Sequence, residues 1–494
     1  MDVQDISFEV SDIEFDSSID YVVGDTIHIV NRASGVSFAW YVYLDGELTE
    51  KIMWRKSNEF RYEFKVYGTY RFKAYIKSAA DNKKVKITQS IAVKNVTKSY
   101  SISHDTPVVL HPFNAMSVLL YHKLKLEGFD VVRFSDPNPL LNKEQYDNTP
   151  ITPVYHCNEL IIVCESKIKD FRETKELYMS QAGVPPEMVA DGNMISTKAD
   201  DFDAAMHVDT KQFSKLFSPY KYYYRNHNNE LIMLRRLQFL SNHGREGNVF
   251  QNVQLTMTQR CTLKCRDCVT LTPKFNNPVD CDINQTVASF EKFMATVDFV
   301  NRLVLCGGEP FLNHNLGTCL MKLEDIGLLN RVGLIQIVTN GTIVPPDELL
   351  EQLAGLNLLV TISNYKTLSK NINKLVAKLN LFNVNYYIDY RPAWYSTGMP
   401  RLSEPLDVED SKKQRLLCRS NCRIIWNDEF YFCAFLKSAE QIGMIPNDSR
   451  NSLKIDKVFN YEKLERYMNA HYPGCAYCVG WPKTHYSLPA AVQL

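Results

Sequence analysis

Apolar and polar residues alternate through Phe60, Tyr62, Phe64 and Val66, and again through Tyr70, Phe72, Ala74 and Ile76. Successive side chains on a strand point to opposite faces, so a period of two predicts half-buried β-strands. Gly68-Thr69 reads as the turn between the two runs, and Asp45-Gly46 as a second hairpin turn. Residues 1–98 are therefore expected to form a small β-sandwich, its aromatic residues supplying core and cross-strand pairs.

Over residues 105–245 the period changes. Val108-Val109-Leu110 predicts a short buried strand, and Ala115 to Glu127 a helix closed by Gly128. Val131-Val132-Arg133-Phe134 predicts a second strand with Ser135-Asp136 after it, and Leu160-Ile161-Ile162-Val163 a later parallel strand. Cys157 and Cys164 flank that last run and read as core residues. Residues 250–400 then alternate apolar runs with amphipathic segments. The runs are Val253 to Met257, Leu303 to Cys306, Leu334 to Val338, Leu358 to Ile362 and Val384 to Ile388. Repeated strand–helix units with buried parallel strands mean an α/β barrel or part of one. Residues 401–494 show little periodicity and five cysteines.

Composition narrows the function. Lys plus Arg and Asp plus Glu are 56 each, so no overall charge points to nucleic acid. The start Met1-Asp2-Val3-Gln4-Asp5 lacks the basic and apolar regions of a secretory signal. No stretch approaches the roughly 20 apolar residues of a membrane helix. A cytoplasmic location is expected, with neither membrane nor nucleic acid as partner. The 13 cysteines should then be reduced thiols and not disulfides. Their grouping points to metal.

The first group is Cys261-x3-Cys265-x2-Cys268, directly after a predicted strand. Three soft thiolates suit an iron–sulfur cluster or zinc, and zinc usually wants a fourth ligand near by. Three ligands on a four-iron cluster leave one iron open to a substrate. Gly307-Gly308-Glu309-Pro310 follows the second predicted strand, Thr339-Asn340-Gly341 ends the third, and Ser363-Asn364-Tyr365 ends the fourth. These segments, in this order, resemble the radical S-adenosylmethionine (SAM) superfamily, over about 150 residues of core. The resemblance implies a partial (β/α)6 barrel whose three cysteines hold a [4Fe-4S] cluster. It implies that Gly307, Gly308, Glu309 and Pro310 bind the methionine end of SAM, with Asn340 and Ser363 as further contacts. It also implies reductive cleavage of SAM to a 5′-deoxyadenosyl radical that abstracts hydrogen from a substrate. One departure stands out: Asp267 precedes the third cysteine, where that family usually has an aromatic residue. Cys281, Cys306 and Cys319 read as packing residues.

The second group is Cys418-x3-Cys422-x10-Cys433 and Cys475-x2-Cys478, with a hairpin predicted over Ile424 to Phe432 around Asn427-Asp428. It resembles the C-terminal SPASM or shortened twitch extensions of radical SAM enzymes. That implies a second [4Fe-4S] cluster on Cys433, Cys475 and Cys478, with either Cys418 or Cys422 as the fourth ligand. A structural zinc tetrathiolate is the alternative. Residues 1–98 resemble immunoglobulin-like accessory domains by pattern alone. Residues 105–245 resemble the Rossmann-like domains of sugar-modifying enzymes, but His111-Pro112-Phe113-Asn114-Ala115 stands where a glycine-rich phosphate turn would be.

The expected order is thus a β-sandwich (1–98), a Rossmann-like α/β domain (105–245), a radical SAM core (250–400) and an auxiliary-cluster region (401–494). The leading function is a radical SAM oxidoreductase or epimerase acting on a carbohydrate or nucleotide-sugar-derived substrate. A peptide-modifying maturase is the second reading and a non-catalytic metal-stabilised binding protein the third. The enzyme readings call for an electron donor such as flavodoxin or ferredoxin.

Overall fold

The computed structural model describes Tyr21 to Leu494, apart from residues 23–25, 31–35, 45–46, 56–58, 64–67, 79–83, 95–101, 140, 142, 154–158, 166–173, 176, 181, 183, 186–187, 218–223, 246, 397, 402 and 481–486. Phe64, Val66, the Asp45-Gly46 turn and Cys157 lie outside the described residues. The chain divides into two compact units. Residues 1–103 and 165–196 form one; residues 104–164 and 197–494 form the other. The segment 165–196, inside the stretch expected to be Rossmann-like, thus groups with the N-terminal unit.

The first unit contains β1 (Tyr21–Val22), β2 (Thr26–Val30), β3 (Val36–Leu44), β4 (Glu47–Arg55), β5 (Glu59–Glu63), β6 (Gly68–Ser78), β7 (Lys84–Lys94) and β13 (Val189–Asp191). One sheet runs β1-β7-β6-β3-β4, and β2 pairs with β5 separately. Trp40 and Val42 on β3 and Tyr70, Phe72 and Ala74 on β6 are buried, as alternation requires. The Tyr62 ring of β5 meets Phe72 edge-on at 5.4 Å, placing the two-stranded ribbon against the larger sheet. Gly68 and Thr69 are the first residues of β6 and not a turn.

The second unit opens with β8 (Val108–His111), helix Ala115–Leu126, β9 (Val131–Ser135), β10 (Gln145–Tyr146), β11 (Thr149–Thr152) and β12 (Leu160–Val163). Strand β8 lies between β9 and β12, parallel to both. The helix N-terminus has partners from the protein itself. Asn114 accepts the Ser117 N–H at 2.9 Å, and Glu230 accepts the Ala115 N–H at 3.2 Å. A carboxylate thus occupies the place where a phosphate would need those donors.

Helix Tyr224–His243 joins this sheet to a second one. Its Ile232 packs on Leu334 and Leu359, and Arg235 donates to the Val332 carbonyl at 3.3 Å. The second sheet holds β14 (Val249–Phe250), β15 (Val253–Thr258), β16 (Phe299–Gly307), β17 (Val332–Thr339), β18 (Leu358–Asn364) and β19 (Tyr386–Tyr390). Strands β15 to β19 are adjacent in chain order and parallel throughout. Helices Ile283–Met294, Leu316–Asp325, Asp347–Ala354 and Ile372–Leu381 separate them. The apolar runs bury completely: Leu255, Leu303, Leu305, Ile337, Val360 and Ile362 have no exposure. This is the open, barrel-like α/β arrangement expected, with one difference. Residues 250–400 supply five of these consecutive strands; the sixth, parallel to β15 on its free side, is β21 (Ile424–Trp426) from the C-terminal region.

β21 forms a hairpin with β22 (Glu429–Tyr431), and β23 (Ser452–Lys454) pairs beyond it. Asn427 and Asp428 both have positive φ, which is why this two-residue turn carries Asn-Asp. The Asp428 carboxylate accepts the Ser289 hydroxyl at 2.6 Å and the Gln285 amide at 3.0 Å, pinning the hairpin to the first barrel helix. Among the described residues, no helix is long and apolar enough to cross a membrane.

Candidate active site

The C-terminal ends of β15 to β18 and the segments after residue 390 enclose a cavity of about 830 Å³. Both cysteine groups line it: Cys261, Cys265 and Cys268 on one side, and Cys418, Cys422, Cys433, Cys475 and Cys478 on the other. Gly307, Gly308, Asn340 and Ser363 line it as well.

The cysteine loop is held from beneath. Arg260 donates to both carboxylate oxygens of Asp280, at 2.9 and 2.5 Å, and to the Leu312 carbonyl at 2.6 Å. The Gly308 N–H donates to the Thr258 carbonyl at 2.9 Å and the Glu309 N–H to the Arg260 carbonyl at 2.8 Å. These bonds extend the β15–β16 ladder past its last residues. The glycines permit that approach: a Cβ on Gly307 would overlap the Thr258 carbonyl oxygen, and one on Gly308 the Arg260 carbonyl oxygen. Gly307 also has φ +146. The close approach expected of these glycines toward a ligand is here made to the backbone that carries Cys261.

Glu309 is fully buried beneath the cavity. Its carboxylate accepts the Thr339 hydroxyl and the Asn340 N–H, each at 2.8 Å, and the Phe311 N–H at 3.2 Å. Burial outweighs those donors and pushes its pKa up to about 7. Pro310 is buried and opens the short 3-10 turn Pro310–Leu312, where a missing N–H costs nothing. The Asn340 amide reaches back to the cysteine loop, at 3.1 Å from the Thr262 hydroxyl and 3.6 Å from the Cys261 sulfur. The C-terminal residues cover the loop from the other side. The Gln493 amide donates to the Cys265 sulfur at 3.3 Å, and the Leu494 N–H to the Lys264 carbonyl at 2.9 Å.

Burial pushes the Cys261 thiol up to about 11, with the fields of Glu309, Cys268 and Cys265 adding to it, and it raises Cys265 as well. Such thiols stay protonated until a cation compensates them. Asp267 also lines the cavity and pairs with Arg266 at 2.9 Å. Tyr365 and Trp394 pack around the same loop, edge to face at 5.7 Å. They supply aromatic surface that the sequence lacks immediately before Cys268.

Burial raises the Cys433 thiol most, followed by the fields of Cys478, Cys475 and Cys418. Cys475 is pushed up to about 12 by burial, then by Cys478 and Cys418, and Cys478 to about 11 by burial, with Cys418 adding. Cys422 feels Cys418 and lies beside Gln254. Gln254 also accepts the Cys306 thiol at 3.5 Å. Cys306 therefore faces the cavity with Cys422, whereas Cys164, Cys281 and Cys319 are buried packing residues. Lys437 is a further group the sequence did not single out: 3% exposed, with its ammonium 4.4 Å from the Trp426 ring centre and its pKa lowered to about 8 by burial.

Among the described residues, no three His, Cys, Asp or Glu side chains are drawn together tightly enough to clasp a metal ion. The fit to iron–sulfur groups rests on the donor sets: three thiols on one side of the cavity, and five on the other.

No family model matches the chain, and no curated protein matches its sequence. Among solved structures, "Native anSMEcpe with bound AdoMet" is similar over 28% of this chain and 43% of that one, at 16% identity and a TM-score of 0.24. The [FeFe]-hydrogenase maturase HydG is similar over 44% of this chain and 46% of that one, at 13% identity and a TM-score of 0.22. HydG from Carboxydothermus hydrogenoformans gives 44%, 48%, 13% and 0.20 for the same quantities. The chain thus spans less than half the length of each.

Proposed function

We propose that the protein is a radical SAM enzyme whose three-thiol loop holds a [4Fe-4S] cluster at the mouth of a partial barrel. One observation carries this reading. Cys261, Cys265, Cys268, Gly307, Gly308, Asn340 and Ser363, drawn from four successive strand ends, line one cavity. When bound and reduced, the cluster with SAM would supply a 5′-deoxyadenosyl radical for hydrogen abstraction. The chain's own residues do the rest. The Gly307-Gly308 turn and Glu309 hold the cysteine loop in register with β16 and β17. Tyr365 and Trp394 offer apolar faces beside the loop, and the enclosed cavity limits water around a reactive intermediate. Cys418, Cys433, Cys475 and Cys478 form the ligand set of a second metal site, with Cys422 outside it. A carbohydrate remains the substrate class we favour, from the element order at 108–163, and a peptide is its rival.

The test is spectroscopic. Anaerobically reconstituted, reduced protein should show a cluster EPR signal whose g-values move when SAM is added. The Cys261→Ala/Cys265→Ala/Cys268→Ala variant should lack that SAM-sensitive signal. A signal indifferent to SAM, or one that survives in the variant, would remove the reading.

A further inference from the structure

Three arginines stand around the four-thiol set, and among the described residues none of them pairs with a carboxylate. The Arg415 guanidinium carbon is 3.9 Å from the centre of the Phe432 ring and that of Arg423 is 3.8 Å from it. Two guanidiniums that close to one ring centre must take opposite faces, so Phe432, next to Cys433, is sandwiched between cations. Arg415 donates to the Met468 carbonyl at 2.5 Å, and Arg423 to the carbonyls of Ser420 and Phe432 at 2.8 and 2.9 Å. Arg401 donates to the Gln414 side chain at 3.3 Å and to the Ser403 hydroxyl at 3.4 Å. Gln414 in turn donates to the carbonyls of Cys475 and Cys478, at 2.8 and 3.0 Å.

The partners of all three are therefore neutral. The Nε atoms of Arg401 and Arg415 are buried with no hydrogen-bond partner at all. Arg401 lies within the electrostatic reach of Cys478, Arg415 of Cys475, and Arg423 of Cys433 and Cys418. Guanidiniums keep their proton at any working pH. All three arginines are half-buried, and the group they share is the thiol set. Backbone donors add to the effect: the Gly480 N–H points to the Cys478 sulfur at 3.2 Å and the Leu436 N–H to the Cys433 sulfur at 3.5 Å.

We infer that Arg401, Arg415 and Arg423 set the C-terminal site to take up an electron, by stabilising the more negative, reduced state of a cluster on Cys418, Cys433, Cys475 and Cys478. This rests on the reading that the quartet holds a four-iron cluster. With four thiolates such a site carries two negative charges when oxidised and three when reduced. The site itself gains one electron with no bond made or broken, while the donor loses one electron and, in closing to product, one proton to solvent. The electron would come from the substrate radical left after hydrogen abstraction. Hydrogen bonds to sulfur and nearby positive charge both raise a cluster's reduction potential. The arginines are positioning residues in this account and touch no reacting atom.

The experiment is a redox titration of full-length, anaerobically reconstituted protein, followed by EPR with and without SAM. The SAM-insensitive signal reports the C-terminal site. It should titrate at a higher potential than the SAM-sensitive one. Arg415→Met and Arg401→Met should each move it to lower potential with iron content unchanged, while Arg415→Lys should leave it near wild type. An unmoved potential in both methionine variants overturns the inference. So does loss of the second site's iron in both, which would make the arginines assembly elements. One zinc and about four irons per chain, in protein never exposed to oxygen, would overturn instead the reading beneath it.

Discussion

Around Cys261, Cys265 and Cys268 the neighbouring side chains are amides, hydroxyls and aromatic rings, with charges of both signs close by, Glu309 and Asp267 as well as Arg260, Arg266 and Arg391. Around Cys418, Cys433, Cys475 and Cys478 they are arginines. The first site offers three thiols beside open cavity, among charges of both signs. The second sets its thiols among guanidiniums that pair with no carboxylate among the described residues. Two groups of the same residue type, facing one cavity, thus differ in the charge that surrounds them.

Gly308→Val offers the harshest way to break this contrast. Its Cβ would strike the Arg260 carbonyl, with the Cys261 Cβ 3.0 Å away, so the loop must move. The first site's iron should fall to about zero while the second site keeps its metal; metal analysis decides. Retained iron with weakened SAM binding would mean that the glycine serves the ligand and not the loop.

Next in size comes the choice between two cysteines that the spacing leaves equivalent. Cys418→Ser should lose most of the metal of the second site, and Cys422→Ser should lose almost none. The reverse result would dissolve the quartet.

A smaller effect follows from Glu309. Its pKa rises from 4.5 to about 7 on folding, so the folded chain binds a proton that the unfolded chain releases. Stability is then highest below about pH 4.5 and falls as pH rises toward 7, by on the order of 3 kcal/mol. Glu309→Gln cannot titrate. The thermal midpoint of the metal-free variant should therefore gain on wild type steadily between pH 5 and pH 8. A constant gap would show that Glu309 stays ionised throughout.

Much of the sheet from β15 to β19 could be read from the chain itself. Strands such as Leu358 to Ile362 are continuous apolar runs because both faces are covered, and such runs stand out. The Asn427-Asp428 hairpin and the two cysteine groups are equally plain. Helix Val408–Leu416 is hidden because only Ser411 on it is buried, leaving no apolar stripe to detect. The pairing of Gly308 with Arg260 is hidden for another reason: two glycines in sequence reveal a close approach but not what approaches. Arg401, Arg415 and Arg423 look like ordinary surface charge until the fold gathers them around one group of thiols. The grouping of residues 165–196 with the N-terminal unit is not legible either, because strand and helix patterns carry no information on which body a segment joins.

On the proposed function, Cys261, Cys265 and Cys268 support reductive cleavage of SAM. Anaerobically reconstituted protein, incubated with dithionite and SAM and analysed by liquid chromatography with mass detection, should form 5′-deoxyadenosine and methionine. The Cys261→Ala/Cys265→Ala/Cys268→Ala variant should form neither, while retaining about four irons at the second site. Cleavage undiminished in that variant, or absent from wild-type protein carrying its full iron, would contradict the account.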